Sequence, residues 1–492
     1  MQLNSMYQYI DYIEKQYADR VAFRWHDQRE SKLYEKTYKE YVRDVRNCAT
    51  KLIHGFPNMK KRHIGILAAN SYAYIVAYMG VILAQGVAVL LNPNERLEVL
   101  KDEIELAELD LLLTDGGYQA REAAFDTVVK TPTASLLSVL EPCIEPYAIP
   151  EDADRLDELA ILIFTSGTTG KNKGVELSLR NVFAMVRYYI RLHERVLAYL
   201  CMDGLAVFDL MPYYHVAGIN TPLAFNFFGT SVYIGSGLKY LYRDLRESHA
   251  TYIPVPPIVI NDFYAAIMRG NREKLADLKL IITGGATINH EILEAFARVG
   301  ILVLVGYGMT ETNGIGTISV VGETNEYKRL HSVGTAEEEC RVSIRDGEVC
   351  FKGDAVTRGY YKDPVATAEA FDEDGWFHSG DMGYLDDEGY LFLTGRKKNL
   401  IILASGESVS PEELENLLLE NASIKEVLVK EKNGKICGEV YCDEERREEV
   451  EVFIRQFNKS LPFYKQIVLT EYRTTPFERT AIGKIKRRQN GD

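Results

Sequence analysis

The sequence predicts a mixed α/β fold with largely parallel sheets, followed by a small β-rich region and a compact C-terminal part. Before about Val333, short apolar runs alternate with helical stretches such as NHEILEAFARVG, and this alternation is typical of α/β domains. After Val333, short strands and tight turns such as IRDGEVCFKG follow instead. Ligands of α/β folds bind at the carboxyl ends of strands, so glycine-rich turns at those ends are candidate sites. The predicted strands include LAILIFTS, LAVFDLMP, TSVYIG, ATYIPVP, LKLIITGG and ILVLVGYG.

The longest uncharged stretch, residues 64–94, could be either a membrane span or a buried βαβ unit. A spanning helix needs about 20 continuous apolar residues. Here polar residues or glycine interrupt the run at 70–71 and 85–86. We therefore predict a strand (IGILAA), a helix over Tyr72–Ala84 and a second strand (VAVLLN).

A second domain is predicted at the C-terminus, beginning within GRKKNLIILASGESVSPEELENLL. Ser410 followed by Pro411 is a favourable helix start, because serine caps the first turn and proline fits into it. The predicted domains are residues 1–397 and 398–492.

Composition excludes several kinds of partner. The 492 residues carry a net charge of −14, which argues against duplex nucleic acid or an anionic membrane surface, since both favour an excess of Lys and Arg. The seven cysteines include no Cys-x-x-Cys pair, and this predicts reduced thiols in a cytoplasmic protein. The N-terminus has early acidic residues and no apolar core, so no signal peptide is expected.

The stretch FTSGTTGKNKG, residues 164–174, is the first candidate site, because it ends the apolar run ILIF. Backbone N–H groups freed by glycine form a concavity for anions, hydroxyl groups add donors, and Lys171 and Lys173 supply positive charge. These features predict a phosphate site, with a flexible surface loop as the alternative. A Walker-type loop needs four residues between its glycines and a Ser or Thr after its lysine. Here two residues separate the glycines and Asn172 follows Lys171, so that class is excluded.

Together with four later motifs, this loop resembles the adenylate-forming superfamily of acyl- and aryl-CoA synthetases, peptide-synthetase adenylation domains and luciferases. The resemblance covers essentially the whole chain, and the motifs stand in the family's order. It implies two α/β subdomains and a small β subdomain in a large N-terminal domain, with a small mobile α+β C-terminal domain. The motifs are Tyr307-Gly308-Met309-Thr310-Glu311, Trp376-Phe377-His378-Ser379-Gly380-Asp381, Gly395-Arg396-Lys397-Lys398-Asn399 and Gly483-Lys484-Ile485-Lys486.

The resemblance also implies an activity and its co-substrates. Members of the superfamily join a carboxylate to AMP, release pyrophosphate and pass the acyl group to a thiol, and the CoA ligases among them use ATP, Mg²⁺ and CoA. The stretches GRKKNLIILASGESVSPEELE and NKSLPFYKQI resemble bacterial fatty-acyl-CoA synthetases most, so a fatty acid is the first prediction. The alternatives are an aryl acid, an acyl carrier protein as the acceptor, and a sensor that binds nucleotide without catalysis.

Roles for the nucleotide site follow from the resemblance. The loop would hold the β- and γ-phosphates, Thr310 would contact the α-phosphate, and Glu311 would bind Mg²⁺ through hard oxygen ligands. Tyr307 would stack on adenine, and Asp381 would accept both ribose hydroxyls with help from Arg396. Taken singly, these residues could instead be core, turn or helix-start residues. The loop residues are Thr165, Ser166, Gly167, Thr168, Thr169, Gly170 and Lys173, and the other nucleotide contacts are Gly284, Gly285, Ala286 and Gly308.

Lys484 is the predicted catalytic lysine, since in the family this residue bridges the attacking carboxylate and the α-phosphate. The alternative is a solvated lysine in a basic tail. Lys398 stands at the family's hinge position, about which the C-terminal domain rotates between the two half-reactions. Gly406 matches the glycine that lines the pantetheine tunnel of CoA ligases, and a simple strand-to-helix turn is its alternative.

The acid site is predicted at residues 211–219, where amino-acid-activating relatives carry an aspartate and this chain has no acidic residue. His215 takes the position at which CoA ligases place a His or aromatic gate. The apolar stretch that follows it would line a hydrophobic acyl or aryl pocket, or be a core helix. The chain departs from the family at Asn172, where proline is usual, and at Asn399, where aspartate is common.

Overall fold

The computed structural model of the chain describes residues 3–27, 30–56, 58–143, 149–151, 155–166, 172–195, 206–284, 290–320, 332–403, 407–478, 485 and 487. Several predicted site residues lie outside these ranges, and their roles stay predictions. They are Gly167, Thr168, Thr169, Gly170, Gly285, Ala286, Gly406 and Lys484.

Strands and helices alternate through the first two thirds of the chain, as predicted. The strands are β1 (Val21–Asp27), β2 (Lys32–Thr37), β3 (His63–Leu67), β4 (Val87–Leu91), β5 (Leu111–Thr114), β6 (Thr133–Ser135), β7 (Leu159–Ser166), β8 (Asn172–Ser178), β9 (Ala206–Asp209), β10 (Ser231–Ile234), β11 (Tyr252–Pro254), β12 (Leu280–Gly284), β13 (Leu302–Tyr307), β14 (Thr317–Val320) and β15 (Thr335–Ala336). The helices are α1 (Met6–Tyr17), α2 (Tyr38–Gly55), α3 (Tyr72–Leu83), α4 (Leu97–Ala107), α5 (Gly117–Arg121), α6 (Phe125–Val128), α7 (Leu179–Arg195), α8 (Val216–Asn226), α9 (Leu241–Ser248), α10 (Pro257–Met268) and α11 (His290–Arg298).

Twelve further strands and α-helices follow β15 in the described residues. They are β16 (Arg341–Arg345), β17 (Glu348–Lys352), α12 (Pro364–Ala370), β18 (Phe377–Leu385), β19 (Leu391–Arg396), β20 (Ile401–Ile402), β21 (Ser408–Val409), α13 (Pro411–Leu418), β22 (Glu426–Lys432), β23 (Lys435–Tyr441), α14 (Arg447–Ser460) and β24 (Leu469–Arg473).

One large sheet has the order β6-β5-β3-β4-β7-β8, with every neighbouring pair parallel except β7 and β8. The predicted βαβ unit is β3, α3 and β4, and all three are buried along their whole length. Strands buried on both faces are expected to be continuously apolar, which explains why this region has no charge. Within the described ranges, no helix is long and apolar enough to cross a membrane.

The second large sheet has the order β15-β14-β13-β12-β11-β9-β10-β1-β2. Its centre, from β13 to β1, is parallel, and its outer strands β2, β14 and β15 are antiparallel. The six apolar runs predicted as strands, from LAILIFTS to ILVLVGYG, all form strands; all but LAILIFTS, which is β7, lie in this sheet as β9 to β13. Because β9, β11, β12 and β13 run in the same direction, their carboxyl ends meet at one edge, where ligands bind in such folds.

The β-rich region predicted after Val333 is an antiparallel sheet of the order β16-β17-β18-β19. Beyond it, α13 begins as predicted: the Ser410 hydroxyl accepts the Glu413 N–H at 3.3 Å, and Pro411 occupies the first turn. Strands β22, β23 and β24 form a separate sheet, whose apolar residues pack with α13 and α14 in their own cluster. The division at residues 397 and 398 stays a prediction.

Candidate active site

The glycine-rich loop leaves and re-enters the sheet through an antiparallel hairpin. Thr165 pairs with Lys173, and Ser166 pairs with Asn172. A hairpin with paired ends brings both sides of its loop to one point at the carboxyl end of β7. The ammonium group of Lys173 lies 4.6 Å from the centre of the Tyr360 ring, a cation–π distance that holds the side chain over that ring.

Tyr360 joins this hairpin to the turn that carries Glu311. Its hydroxyl donates a hydrogen bond of 3.0 Å to Oε1 of Glu311. Burial and the neighbouring carboxylate raise the pKa of Tyr360, so its hydroxyl stays a donor. The backbone oxygen of Glu311 accepts the Thr357 N–H at 2.7 Å. Lys173 and Glu311, which are far apart in sequence, thus contact the same tyrosine, one over its ring and the other at its hydroxyl.

Thr310 is buried in a short 3₁₀ turn, Thr310–Thr312, that follows β13. The turn is held by Thr312, whose hydroxyl accepts the Met309 N–H and donates to the Met309 carbonyl, both at 3.1 Å. Asn313 ends the turn with a φ of 52°, a left-handed conformation that asparagine tolerates better than most residues. The turn therefore has a fixed shape at the carboxyl end of β13.

Asp381 lies between Tyr307 and Arg396. The Tyr307 hydroxyl donates to Oδ2 of Asp381 at 2.7 Å, and Nε of Arg396 lies 2.5 Å from Oδ1. Arg396 is opposite Asp381 in the β18–β19 register, so pairing of the two strands brings them together. Burial, followed by the Asp381 charge, raises the pKa of Tyr307 well above its usual range. The carboxyl end of β13 and the four-stranded sheet are thus joined at one buried carboxylate.

Gly284 lies at the same edge, at the end of β12. It pairs with Gly306 of β13, and a Cβ on Gly284 would lie only 2.3 Å from the Gly306 carbonyl oxygen. The backbone of Gly308 is similarly close to that of Gly314, since a Cβ on Gly308 would lie 2.9 Å from the Gly314 carbonyl oxygen. Only glycine allows these backbone segments to approach so closely.

His215 caps the start of α8. Its Nδ1 accepts the Ala217 N–H at 3.2 Å, so the neutral ring carries its proton on Nε2. Desolvation lowers its pKa below the ordinary 6.5, which favours that neutral form. The helix beside it packs on the turn after Thr310, because a Cβ on Gly314 would lie 3.3 Å from Cγ2 of Val216.

Two residues of this region were missed by the sequence analysis. Tyr360 bridges Lys173 and Glu311, and the buried carboxylate of Glu348 accepts from Lys397 at 2.7 Å, from His378 at 3.0 Å and from the Gly380 N–H at 2.8 Å. Burial alone would raise the pKa of Glu348, but these three partners together hold it below its ordinary value. Tyr360 stands in none of the stretches quoted above, and Glu348 stands only in IRDGEVCFKG, which indicated strands and a tight turn and no site.

Solved structures share this architecture. The o-succinylbenzoate CoA synthetase of Bacillus subtilis, in complex with its acyl-adenylate intermediate, superimposes with a TM-score of 0.80 at 23% identity, covering 100% of this chain and 98% of that one. At this identity the likeness shows the fold alone. The fold is the mixed α/β fold of adenylate-forming enzymes, as predicted.

Sequence comparison gives the family. The 2-succinylbenzoate–CoA ligase of Bacillus cytotoxicus is 29% identical over 394 residues, which are 77% of this chain and 77% of that one. The 4-coumarate–CoA ligase 3 of Oryza sativa subsp. japonica is 28% identical over 453 residues, 86% of this chain and 81% of that one. AMP-binding enzymes match as a family over residues 11–361. The chain therefore belongs to the AMP-binding enzyme family, and by class it is an AMP-forming acid–thiol ligase. Such CoA ligases use ATP, Mg²⁺ and CoA.

Proposed function

We propose that the chain activates a carboxylic acid as its acyl adenylate, with release of pyrophosphate, and then transfers the acyl group to the thiol of CoA. The observation that carries this proposal is the Tyr307–Asp381–Arg396 cluster at the carboxyl end of β13. An ionised carboxylate has about four acceptor positions, so Asp381 can accept ribose hydroxyls while Tyr307 and Arg396 hold it in place.

Formation of an acyl adenylate depends on charge neutralisation more than on covalent catalysis by the protein. A carboxylate that attacks an α-phosphate brings like charges together, so catalysis depends on positioning and on nearby positive charge. In this proposal Lys173 meets the outer phosphates, Thr310 contacts the α-phosphate and Lys484 bridges the attacking carboxylate. The neutral ring of His215 gates the acid pocket at the start of α8.

The donor set at Glu311 fits a magnesium ion that arrives with ATP. In the part of the chain that the structure describes, no group of three or more His, Cys, Asp or Glu side chains could hold a metal alone. Mg²⁺ is usually held by one or two carboxylates together with substrate phosphates and water. Glu311 would supply the carboxylate, and the ion would neutralise phosphate charge.

Two kinds of acid are candidates. An aromatic acid is favoured by the relatives, which are named for 2-succinylbenzoate and 4-coumarate. A linear fatty acid, the first prediction from sequence, is favoured by the resemblance of GRKKNLIILASGESVSPEELE and NKSLPFYKQI to bacterial fatty-acyl-CoA synthetases. An acyl carrier protein as acceptor stays a prediction.

An amino acid is disfavoured as the substrate. Its ammonium group would need a charged partner, because an unpaired buried charge is costly. The nearest acid before α8 in sequence is Asp209, which is fully buried at the end of β9. Burial raises the pKa of this carboxyl well above its usual range, so it is not poised to pair with an ammonium group.

Replacing Lys484 tests the proposed chemistry. We expect Lys484→Ala to abolish acid-dependent exchange of pyrophosphate into ATP, because the like charges of acid and α-phosphate are then not offset. Transfer from supplied acyl-AMP to CoA should continue, since that step contains no phosphate attack by a carboxylate. Lys459→Ala, in the last turn of α14, is the control and should retain both half-reactions. Equal loss of both half-reactions in Lys484→Ala would contradict the proposal.

A further inference from the structure

The residue after the predicted hinge, Asn399, makes a contact that explains why it differs from the aspartate common in the family. Its amide nitrogen Nδ2 lies 2.5 Å from Oε1 of Glu412. An ionised carboxylate only accepts hydrogen bonds, so the nitrogen of Asn399 must face it. An aspartate at 399 would instead place two carboxylates against each other. The contact therefore depends on asparagine.

Glu412 has a second partner in the C-terminal tail. It lies in the first turn of α13, and the same Oε1 atom is 3.3 Å from Nη2 of Arg487. The guanidinium of arginine stays charged at all ordinary pH values, so this contact is an ion pair. Glu412 thus joins Asn399 to Arg487.

Arg487 also has partners other than Glu412. It forms an ion pair with Glu415, one turn along α13, and Nη1 donates to the Val429 carbonyl oxygen at 3.3 Å. Glu415 is largely buried, with 12% of its side chain exposed. In sequence, Arg487 stands three residues after Lys484.

The two neighbours of Lys398 are tied in opposite directions. Lys397, before it, pairs with Glu348 of β17 at 2.7 Å and so belongs with the four-stranded sheet. Asn399, after it, is tied to α13 through Glu412. A rotation at Lys398 that leaves Lys397 in place and carries Asn399, α13 and Arg487 together would also have to break the hydrogen bond from the Ser410 hydroxyl to the Thr394 carbonyl oxygen of β19.

We propose that Glu412 is a positioning residue that links Asn399, next to the predicted hinge, to Arg487, so that Arg487 turns together with α13. This inference rests on the proposed function, because it needs Lys484 to act in adenylation. It assigns Glu412 no contact with substrate. Its effect belongs to the half-reaction that uses Lys484.

The proposed link through Glu412 can be tested by introducing a charge at position 399 and compensating for it at position 412. Asn399→Asp should lower acid-dependent pyrophosphate exchange by about tenfold or more, since a hydrogen bond to a charged group is lost and a repulsion is added. Transfer from supplied acyl-AMP to CoA should stay unchanged. In Asn399→Asp with Glu412→Gln, the new amide can donate to the new carboxylate, and exchange should recover. Loss without recovery, or an equal fall in both half-reactions, would overturn the proposal.

A second variant tests the other end of the link against a matched control. Arg487→Met removes an arginine with 27% of its side chain exposed, and Arg473→Met removes one with 28% exposed that pairs with Glu439 in the same C-terminal part. We expect Arg487→Met to lower exchange relative to CoA transfer, and Arg473→Met to leave that ratio unchanged. The same ratio in both variants would overturn the proposal. If the wild type shows no acid-dependent pyrophosphate exchange, the proposed function itself fails; if the wild type exchanges and these variants leave the ratio unchanged, the link alone fails.

Discussion

At the scale of single residues, Asp381 joins two sheets at the candidate nucleotide site. Its carboxylate accepts the Tyr307 hydroxyl and pairs with Arg396, and all three side chains come from strands or strand ends. Groups held by regular elements keep their geometry better than groups on loops, because their backbone is fixed by the sheet. Tyr307 thus has two parts that can be tested separately, its aromatic ring and the hydroxyl that donates to Asp381.

The hydroxyl of Tyr307 can be tested apart from its ring. Tyr307→Phe keeps the ring and removes the hydrogen bond to Asp381. Because hydrogen bonds to charged groups contribute about 1.5–3 kcal/mol, we expect the KM for ATP to rise roughly tenfold or more, with a smaller change in kcat. The control is Tyr384→Phe. Tyr384 lies on β18 with Asp381, but it is half exposed and stacked on Phe392, so its replacement should leave the KM for ATP unchanged. An unchanged KM in Tyr307→Phe would contradict this orienting role.

The sequence could predict Asp381, Arg396 and Tyr307 because each stands in a motif of fixed spacing. It could not predict Tyr360 or Glu348. The contact of Tyr360 with Glu311 spans 49 residues, and a contact over such a distance leaves no local pattern. Lys484 and Gly406 lie outside the described residues, so their predicted roles are for experiment to decide.

At the scale of secondary-structure elements, helix α4 supports the base of the phosphate loop. Nδ2 of Asn172, the first residue of β8, donates to Oε1 of Glu103 at 2.6 Å. Glu103 is buried on α4, and burial raises its pKa to about 7, with the nearby charges of Glu95 and Asp102 adding to the rise. The proline usual in the family at position 172 could not make this contact, since it has no side-chain donor.

This buried carboxyl predicts a pH dependence of stability. The folded pKa of Glu103 is above its ordinary 4.5, so the folded state holds a proton that the unfolded state releases. Its stabilising contribution is full below pH 4.5 and is lost as the pH rises towards 7. Glu103→Gln removes that dependence, which amounts to about 3 kcal/mol for a shift of this size.

Thermal unfolding at pH 5 and pH 8 checks this expectation. Between these pH values, wild type should lose more stability than Glu103→Gln does. Glu98→Gln, an exposed position in the first turn of the same helix, is the control and should behave as wild type. Parallel curves for wild type and Glu103→Gln would show that Glu103 does not titrate in this range.

The alternation of strands and helices was predictable because burial on both sheet faces leaves long apolar runs, as in β3, α3 and β4. The position of β1 in the nine-stranded sheet could not be predicted from the sequence. This strand pairs in parallel with β10, through Phe23 and Val232, and no spacing in the sequence indicates a partner so far along the chain. Parallel pairing over long separations is set by tertiary packing and not by local propensity.

At the scale of the whole molecule, the site is assembled where three sheets meet. The β7–β8 hairpin supplies Lys173, the nine-stranded sheet supplies Tyr307 and Glu311, and the four-stranded sheet supplies Asp381. Lys398 follows directly after the last of these sheets, between the ties of Lys397 and Asn399. Under the proposed function, a rotation there would move the C-terminal part against the candidate nucleotide site between the two half-reactions.

The central claim is that this chain couples ATP cleavage to a carboxylic acid and then to CoA. The most direct test is AMP production from ATP across benzoates, cinnamates, linear fatty acids and amino acids, each with and without CoA. We predict AMP release that requires an aromatic or linear acid and that CoA accelerates, with amino acids inactive. AMP formation that is independent of the acid, or that CoA does not accelerate, would contradict the account.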